Sequence, residues 1–324
     1  MPVSAIDFTA VTSVIHAFIT PNPDGTISGI TVDQSAELVD AAHAAGRTAI
    51  VSVGGENSEP AFKVVLSPGL RPIFERNLLN FISARNYDGI DLDMEPMQPG
   101  DAQNYTDFVT ELRAQMSARR PGLLLTAAAE SSQADLFAQL QSDFDQINVM
   151  TYCLAGPWPG FSTWYNSSLF GGGARTMPGG APFPSGDAVL ASFEQAGVVR
   201  NKLGLGIAFF GTIWHGATAP FQSIQGTTME QISFQSVMDR YFEPELFHYD
   251  SVAKAAYLTI QTPRQEFIDY ENETVCTAKV GYAKQIGLGG VMIWELSSGY
   301  LPAKPDGLRN PLLLAVKQAW IGHN

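Results

Sequence analysis

The stretch Asp88-Gly89-Ile90-Asp91-Leu92-Asp93-Met94-Glu95 alternates aliphatic and acidic side chains from Ile90 to Glu95. Alternate side chains of a strand share a face, so Asp91, Asp93 and Glu95 point one way and Ile90, Leu92 and Met94 the other. In a barrel strand the acids face inward and the apolar set meets the covering helices. Adjacent acids lie roughly 7 Å apart by backbone rise. Three such groups cannot all ionise cheaply in a poorly solvated interior, so at least one keeps a proton near neutrality. A general acid needs that proton. A solvated acidic strand would not alternate with Ile, Leu and Met at the strand C-terminus of an α/β pattern. A calcium loop counted from Asp91 also fails, because Pro96 and Ala102 stand at the sixth and twelfth positions, where Gly and Glu are needed.

Outward from this stretch, short apolar or β-branched runs recur at Ser13 to Phe18, Thr48 to Val53, Leu123 to Ala128, Gln146 to Tyr152, Leu203 to Phe210 and Gly290 to Leu296. Between them, apolar residues fall at helical spacing: Leu38, Val39 and Ala42; Ile73, Phe74, Leu78 and Phe81; Tyr105, Phe108, Val109, Leu112 and Met116. Gly46 stands where a helix would end. This alternation predicts a parallel sheet covered by helices. With 324 residues and neither an internal repeat nor a linker-like break, the expectation is one catalytic barrel domain over 1–324.

The chain is 45% hydrophobic, enough for a large core, which excludes disorder. A formal charge of -13 repels phosphate backbones and anionic lipids, so neither nucleic acid nor a membrane surface is an expected partner. No apolar run reaches the roughly 18 residues of a membrane span, and no Lys or Arg precedes Arg47, so neither a secretory n-region nor a transit peptide is read. Cys153 and Cys276 are too few for a disulfide framework, and no Cys/His cluster has zinc spacing. Gly204-Leu205-Gly206 lacks the third glycine of a dinucleotide loop. The five histidines, His16, His43, His215, His248 and His323, form no His-Glu-x-x-His pattern and read as core or surface residues. No metal and no cofactor is expected.

Two connections, about 153–186 and 211–268, exceed the few residues usual in α/β units, and long loops in compact domains tend to be functional. The first carries Trp158, Phe161, Trp164 and Tyr165; the second carries Trp214 and a predicted helix near Met229 to Tyr241. Aromatics on such loops suit either stacking on sugar faces or anchoring the loop by burial.

These residues resemble glycoside hydrolase family 18, the bacterial-type chitinases, whose signature Asp-Gly-x-Asp-x-Asp-x-Glu lies on the fourth strand of a TIM barrel; Asp88, Gly89, Asp91, Asp93 and Glu95 match it in full. Ser52-Val53-Gly54-Gly55, Met150-Thr151-Tyr152, the Gly206 to Gly211 segment and Gly290-Val291-Met292-Ile293-Trp294 match, in order, the third, sixth, seventh and eighth strands. The resemblance implies a TIM (β/α)8-type barrel that hydrolyses β-1,4 bonds between N-acetylglucosamine units in chitin or its oligosaccharides. The route is retaining and substrate-assisted. It implies Glu95 as acid, Asp93 holding the acetamido N–H with Asp91 sharing a proton behind it, and Tyr152 orienting the acetamido oxygen. It further implies Trp294 as the floor beneath the reacting sugar and Met150 and Ser52 as residues that shape and polarise the surroundings, and Phe18, Trp164 and Trp214 are expected to bind substrate. An extracellular location is implied by the family.

Two departures stand out. The family usually has Asp after the sixth-strand Tyr, where this chain has Cys153, whose thiol is a weak hydrogen-bond partner and mostly uncharged near neutrality. The run Val3 to Phe18 resembles the approach to the family's second strand, so the first strand is expected to be missing or altered. A homodimer is one way to cover the resulting gap. Two other functions share the signature: a catalytically weak chitin-binding protein, in which the acid corresponding to Glu95 is typically lost, and an endo-β-N-acetylglucosaminidase acting on glycans.

Overall fold

Every apolar run named above becomes a strand in the computed structural model, which describes residues 1–322. The chain divides into two compact units, Pro2–Asn148 with Ala196–Lys202, and Val149–Gln195 with the chain from Leu203. Two 3-10 turns, Val3–Ala5 and Phe8–Ala10, precede the first strand of the first unit, so no strand forms ahead of Ser13. The elements then run β1 (Ser13–Pro21), β2 (Ile27–Gly29), α1 (Val32–Ala44), β3 (Thr48–Gly55), α2 (Glu59–Val65), α3 (Arg71–Ala84), β4 (Gly89–Met94), α4 (Ala102–Arg119), β5 (Leu124–Ala129), α5 (Ala134–Leu140) and β6 (Gln146–Val149).

β1, β3, β4 and β5 form a parallel ladder, with Val14 opposite Ala49, Gly54 opposite Asp93 and Asp91 opposite Thr126. On its other edge β1 pairs with the antiparallel β2 at Ile19 to Pro21. Apart from the acidic face of β4 the strands are largely β-branched and aliphatic, and Ile50, Val51, Val53, Ile90 and Leu92 are all buried. α1 opens on a capping box between Thr31 and Gln34. It closes where Gly46 takes the left-handed conformation (φ 68°) and the Arg47 N–H reaches the Ala42 carbonyl, as the sequence position of Gly46 predicts.

The second unit contains α6 (Gly186–Ala196), β7 (Leu203–Ala208), β8 (Phe210–His215), β9 (Thr228–Ser233), α7 (Phe234–Arg240), β10 (Phe247–Asp250), β11 (Ala255–Ile260), β12 (Glu266–Tyr270), α8 (Glu273–Ile286), β13 (Gly290–Trp294) and α9 (Pro311–Ile321). β13 and β7 pair in parallel from Gly290–Gly204 to Trp294–Ala208. The segment 211–268, expected as a loop, instead supplies an antiparallel sheet of strand order β10-β11-β12-β8-β9. Its alternation is masked in the sequence because Thr212, Glu266 and Asp269 occupy buried positions that a pattern of apolar residues leaves unmarked. The helix expected near Met229 to Tyr241 is only the seven-residue α7, capped by the Ser233 hydroxyl, and the residues before it pair with β8. Residues 153–185 carry no helix or strand and pack Trp164, Tyr165 and Phe183 with Trp214 and Phe267 of the sheet.

Candidate active site

In the first unit β4 delivers the acids. Asp91 and Asp93 are buried, and Glu95, one residue past the strand, is half-buried. The hydroxyls of Ser52 on β3 and Thr126 on β5 donate to the two Asp91 oxygens at 2.8 and 2.5 Å. Asp93 hydrogen-bonds Glu95, and its Oδ1 is buried with no hydrogen-bond partner among the described residues. Burial raises Asp91 above the usual carboxylate range while the two hydroxyls oppose the rise. Burial, then the charges of Glu95 and Asp91, pushes Asp93 up. Burial raises Glu95 too; the Asp93 hydrogen bond works against this, and the charges of Glu130 and Glu56 add to it. Asp93 and Glu95 therefore hold a proton between them near neutrality, as the three-acid argument requires. The hydrogen bond to Asp93 comes from Glu95, while Asp91, held by the two hydroxyls, acts on Asp93 through its charge.

The backbone on either side of Glu95 is tied down. The Glu95 N–H donates to the Ser58 hydroxyl at 3.1 Å, that hydroxyl donates to the Asp93 carbonyl at 3.1 Å, and the Glu59 N–H donates to the Glu95 carbonyl at 3.1 Å. Beyond it, the Met97 N–H donates to Glu130 Oε2 at 3.3 Å, which Gln133 also holds at 3.0 Å. Gly54 has φ 120°, and a Cβ there would lie 1.9 Å from the Asp93 carbonyl oxygen, so only glycine lets β3 approach. The Phe18 ring packs on Gly55, 3.0 Å from where a Cβ would stand, which places it on the strand beside β4.

In the second unit Tyr152, Met150 and Trp294 gather in one cluster with Ala208, Phe210 and Met292. The Tyr152 ring meets Phe210 edge-on at 5.6 Å, and its hydroxyl donates to the Met292 sulfur at 4.0 Å. Gly206 makes room for it, since a Cβ there would stand 2.9 Å from the Tyr152 ring. Cys153 is exposed, its φ is 55°, and its sulfur accepts from Gln231 at 3.5 Å.

Trp164 and Trp214 do not fit the substrate-binding role expected of them. Both are fully buried, their indole N–H groups donate to the Pro184 and Trp164 carbonyls, and no face is left for a sugar. Burial wins over stacking because both rings are enclosed by Tyr165, Phe183, Phe221 and Phe267. Trp158, packed on Phe161, is the exposed indole of that loop, at 47%.

Thr126, Ser58, Glu130 and Gln133 were not marked by sequence reasoning. Thr126 carried one signal, a lone hydroxyl in the run Leu124-Leu125-Thr126-Ala127, which the parallel register sets against Asp91. His16 bonds Tyr87, His43 bonds Asp88 and His215 meets Glu266, while His323 lies outside the described residues. No helix among the described residues is long and apolar enough to cross a membrane, and no group of three or more His, Cys, Asp or Glu there could hold a metal ion.

A family model described as glycosyl hydrolases family 18 matches residues 3–299. Chitinase A1 of Niallia circulans is 30% identical over 282 residues, covering 76% of this chain and 40% of that protein. The chain spans 40 to 61% of the length of the first three curated relatives it matches. Among solved structures, the Ostrinia furnacalis group IV chitinase superposes with TM-score 0.84 at 21% identity, covering 99% of this chain and 95% of that one. A mutant class V chitinase of Nicotiana tobaccum in complex with NAG4 gives TM-score 0.81 at 22% identity, covering 99% and 95%. The fold is thereby that of a TIM (β/α)8-type barrel.

Proposed function

This chain belongs to glycosyl hydrolases family 18, and from that premise we propose that it cleaves β-1,4 linkages between N-acetylglucosamine units of chitin or chitooligosaccharides, with retention and with the substrate's own acetamido group as nucleophile. One observation carries the reading: a buried Asp93 oxygen without a partner, on a carboxyl group bonded to the half-buried acid Glu95. In the proposed route Glu95 protonates the leaving oxygen while the acetamido carbonyl attacks the anomeric carbon. Asp93 Oδ1 accepts the acetamido N–H and offsets the positive charge that develops. Asp91, fixed by Ser52 and Thr126, supports Asp93 from behind. Tyr152 and Trp294 enter the route on their motif resemblance, orienting the acetamido oxygen and flooring the reacting sugar. The names of the relatives support the substrate class, as does the NAG4 bound in the tobacco structure. Action on insoluble chitin, which cannot enter a cell, would take place outside it.

Turnover of a chromogenic chitobioside tests the reading, with Glu95→Gln as control. The amide keeps the shape without an acidic proton, so turnover should fall by about 10² to 10⁴ while oligosaccharide binding by calorimetry persists. A variant that keeps most of its turnover would remove Glu95 from its role. Wild-type binding without turnover would favour a chitin-binding protein instead.

A further inference from the structure

Behind Tyr152 lies a set of buried polar groups that the reaction does not use. Lys279 and Glu271, 1% and 3% exposed, form an ion pair, and the Lys279 ammonium also donates to the Ser167 hydroxyl at 2.6 Å. Ser167 in turn donates to the Thr151 carbonyl at 2.9 Å. Alongside, Asp269 is fully enclosed, accepts from Thr212 and takes the Asn166 N–H at 2.8 Å. The Asn166 side-chain oxygen accepts the Cys153 N–H at 3.0 Å, and its carbonyl accepts the Leu154 N–H at 3.0 Å. Two chains of hydrogen bonds thus start at buried charges and end on one three-residue turn, one at Thr151 and the other at Cys153.

Burying a lysine and carboxylates is costly, and apolar residues of similar volume are often as stabilising. A use for them is therefore to be sought where they end. Cys153 adopts the left-handed conformation, which a non-glycine residue keeps only when its surroundings hold it. The Asn166 Nδ2 is buried with no partner among the described residues, so the hydrogen bond its side chain makes is the one it accepts from Cys153. On the third side, Thr151 donates to the Gly206 carbonyl at 2.7 Å, and Gly206 has no side chain to push against Tyr152.

We propose that Asn166 and Ser167, supported by Asp269 and by the Lys279–Glu271 pair, are positioning residues that fix the Thr151–Tyr152–Cys153 turn and so aim the Tyr152 hydroxyl. This rests on the role given to Tyr152 above. A ring misplaced by about 1 Å can cost about 10²-fold in rate without changing affinity. Asn166→Ala and Ser167→Ala should each lower kcat on a chromogenic chitobioside by about 10- to 100-fold with KM held within about threefold. In a Tyr152→Phe background the same substitutions should add almost nothing, because they act through the hydroxyl already removed. A purely structural role would lower the melting temperature, leave kcat of the folded fraction unchanged and add independently to Tyr152→Phe; either of the last two results overturns the proposal. If Tyr152→Phe itself leaves turnover intact, the role of Tyr152 is what fails. The clamp is then read by hydrogen exchange: the Cys153 amide should exchange at least about tenfold faster in Asn166→Ala, and an unchanged rate refutes it.

Discussion

Glu75 offers a sharp test of the electrostatics in the first unit. It lies on α3, fully buried, with Oε2 accepting from Gln115 of α4 at 2.5 Å and Oε1 left without a geometric hydrogen-bond partner among the described residues, near the like charge of Glu111. Arg71, one turn earlier, is engaged with Glu111 and Asp107. Burial pushes Glu75 from the ordinary 4.5 up to about 7, with the Gln115 hydrogen bond working against the rise. The folded chain thus holds a proton that the unfolded chain has released, so stability is full below about pH 4.5 and declines as pH rises toward 7. At about 1.4 kcal/mol for each pH unit, the loss is at most about 3 kcal/mol. Glu75→Gln imitates the protonated acid and removes the titration. Urea unfolding at pH 5 and pH 8 should give nearly equal stabilities for the two proteins at pH 5 and a variant more stable by about 2 to 3 kcal/mol at pH 8. Because both proteins share every other titrating group, a wild-type-minus-variant difference that does not change with pH would refute the reasoning.

Glu130→Gln keeps an acceptor for the Met97 N–H but removes a charge that raises Glu95, so the alkaline limb of the turnover profile should move to lower pH by up to about one pH unit; a fixed limb would show that Glu130 is too well solvated to matter. Cys153→Asp places a carboxylate beside Gln231 and Tyr152 at an exposed position, and should raise turnover or shift its pH optimum; an unaltered profile would put position 153 outside the catalytic network. Gly54→Ala drives a Cβ to 1.9 Å from the Asp93 carbonyl, so thermal melts should register a loss of at least about 3 kcal/mol, or no folded protein, and a melt within a degree or two of wild type would mean that β3 can retreat.

The parallel strands were legible because they obey simple periodicity. The run at β4 could be read with its two faces, and the acids it presents are buried side by side as that alternation demands. What escaped depends on pairing across strands or on burial of polar groups. Thr126 supports Asp91 only because parallel register sets β5 against β4, and no local signal gives that register. Glu130 matters through a carboxylate aimed back at the turn after β4. The antiparallel sheet of the second unit was hidden for the reverse reason: Thr212 and Asp269 bond each other in its interior and so erase the apolar alternation that marks a strand. Trp164 and Trp214 show the same limit, since an aromatic on an irregular segment reads alike whether it faces a sugar or a core.

The enclosure of those two indoles decides how the protein can be followed by light. Trp164 and Trp214 sit in an apolar cluster with their N–H groups bonded to carbonyls, an environment that favours blue-shifted emission and shields them from iodide or acrylamide. Their signal will therefore report whether the second unit is folded rather than whether a ligand is present. Of the five tryptophans, Trp158 and Trp320, 47% and 38% exposed, are open to quencher, and Trp294 lies half-buried against Tyr152. A fluorescence titration with chitooligosaccharide should accordingly be interpreted as a small change on a large constant background, and quencher accessibility, not total intensity, is the quantity to record.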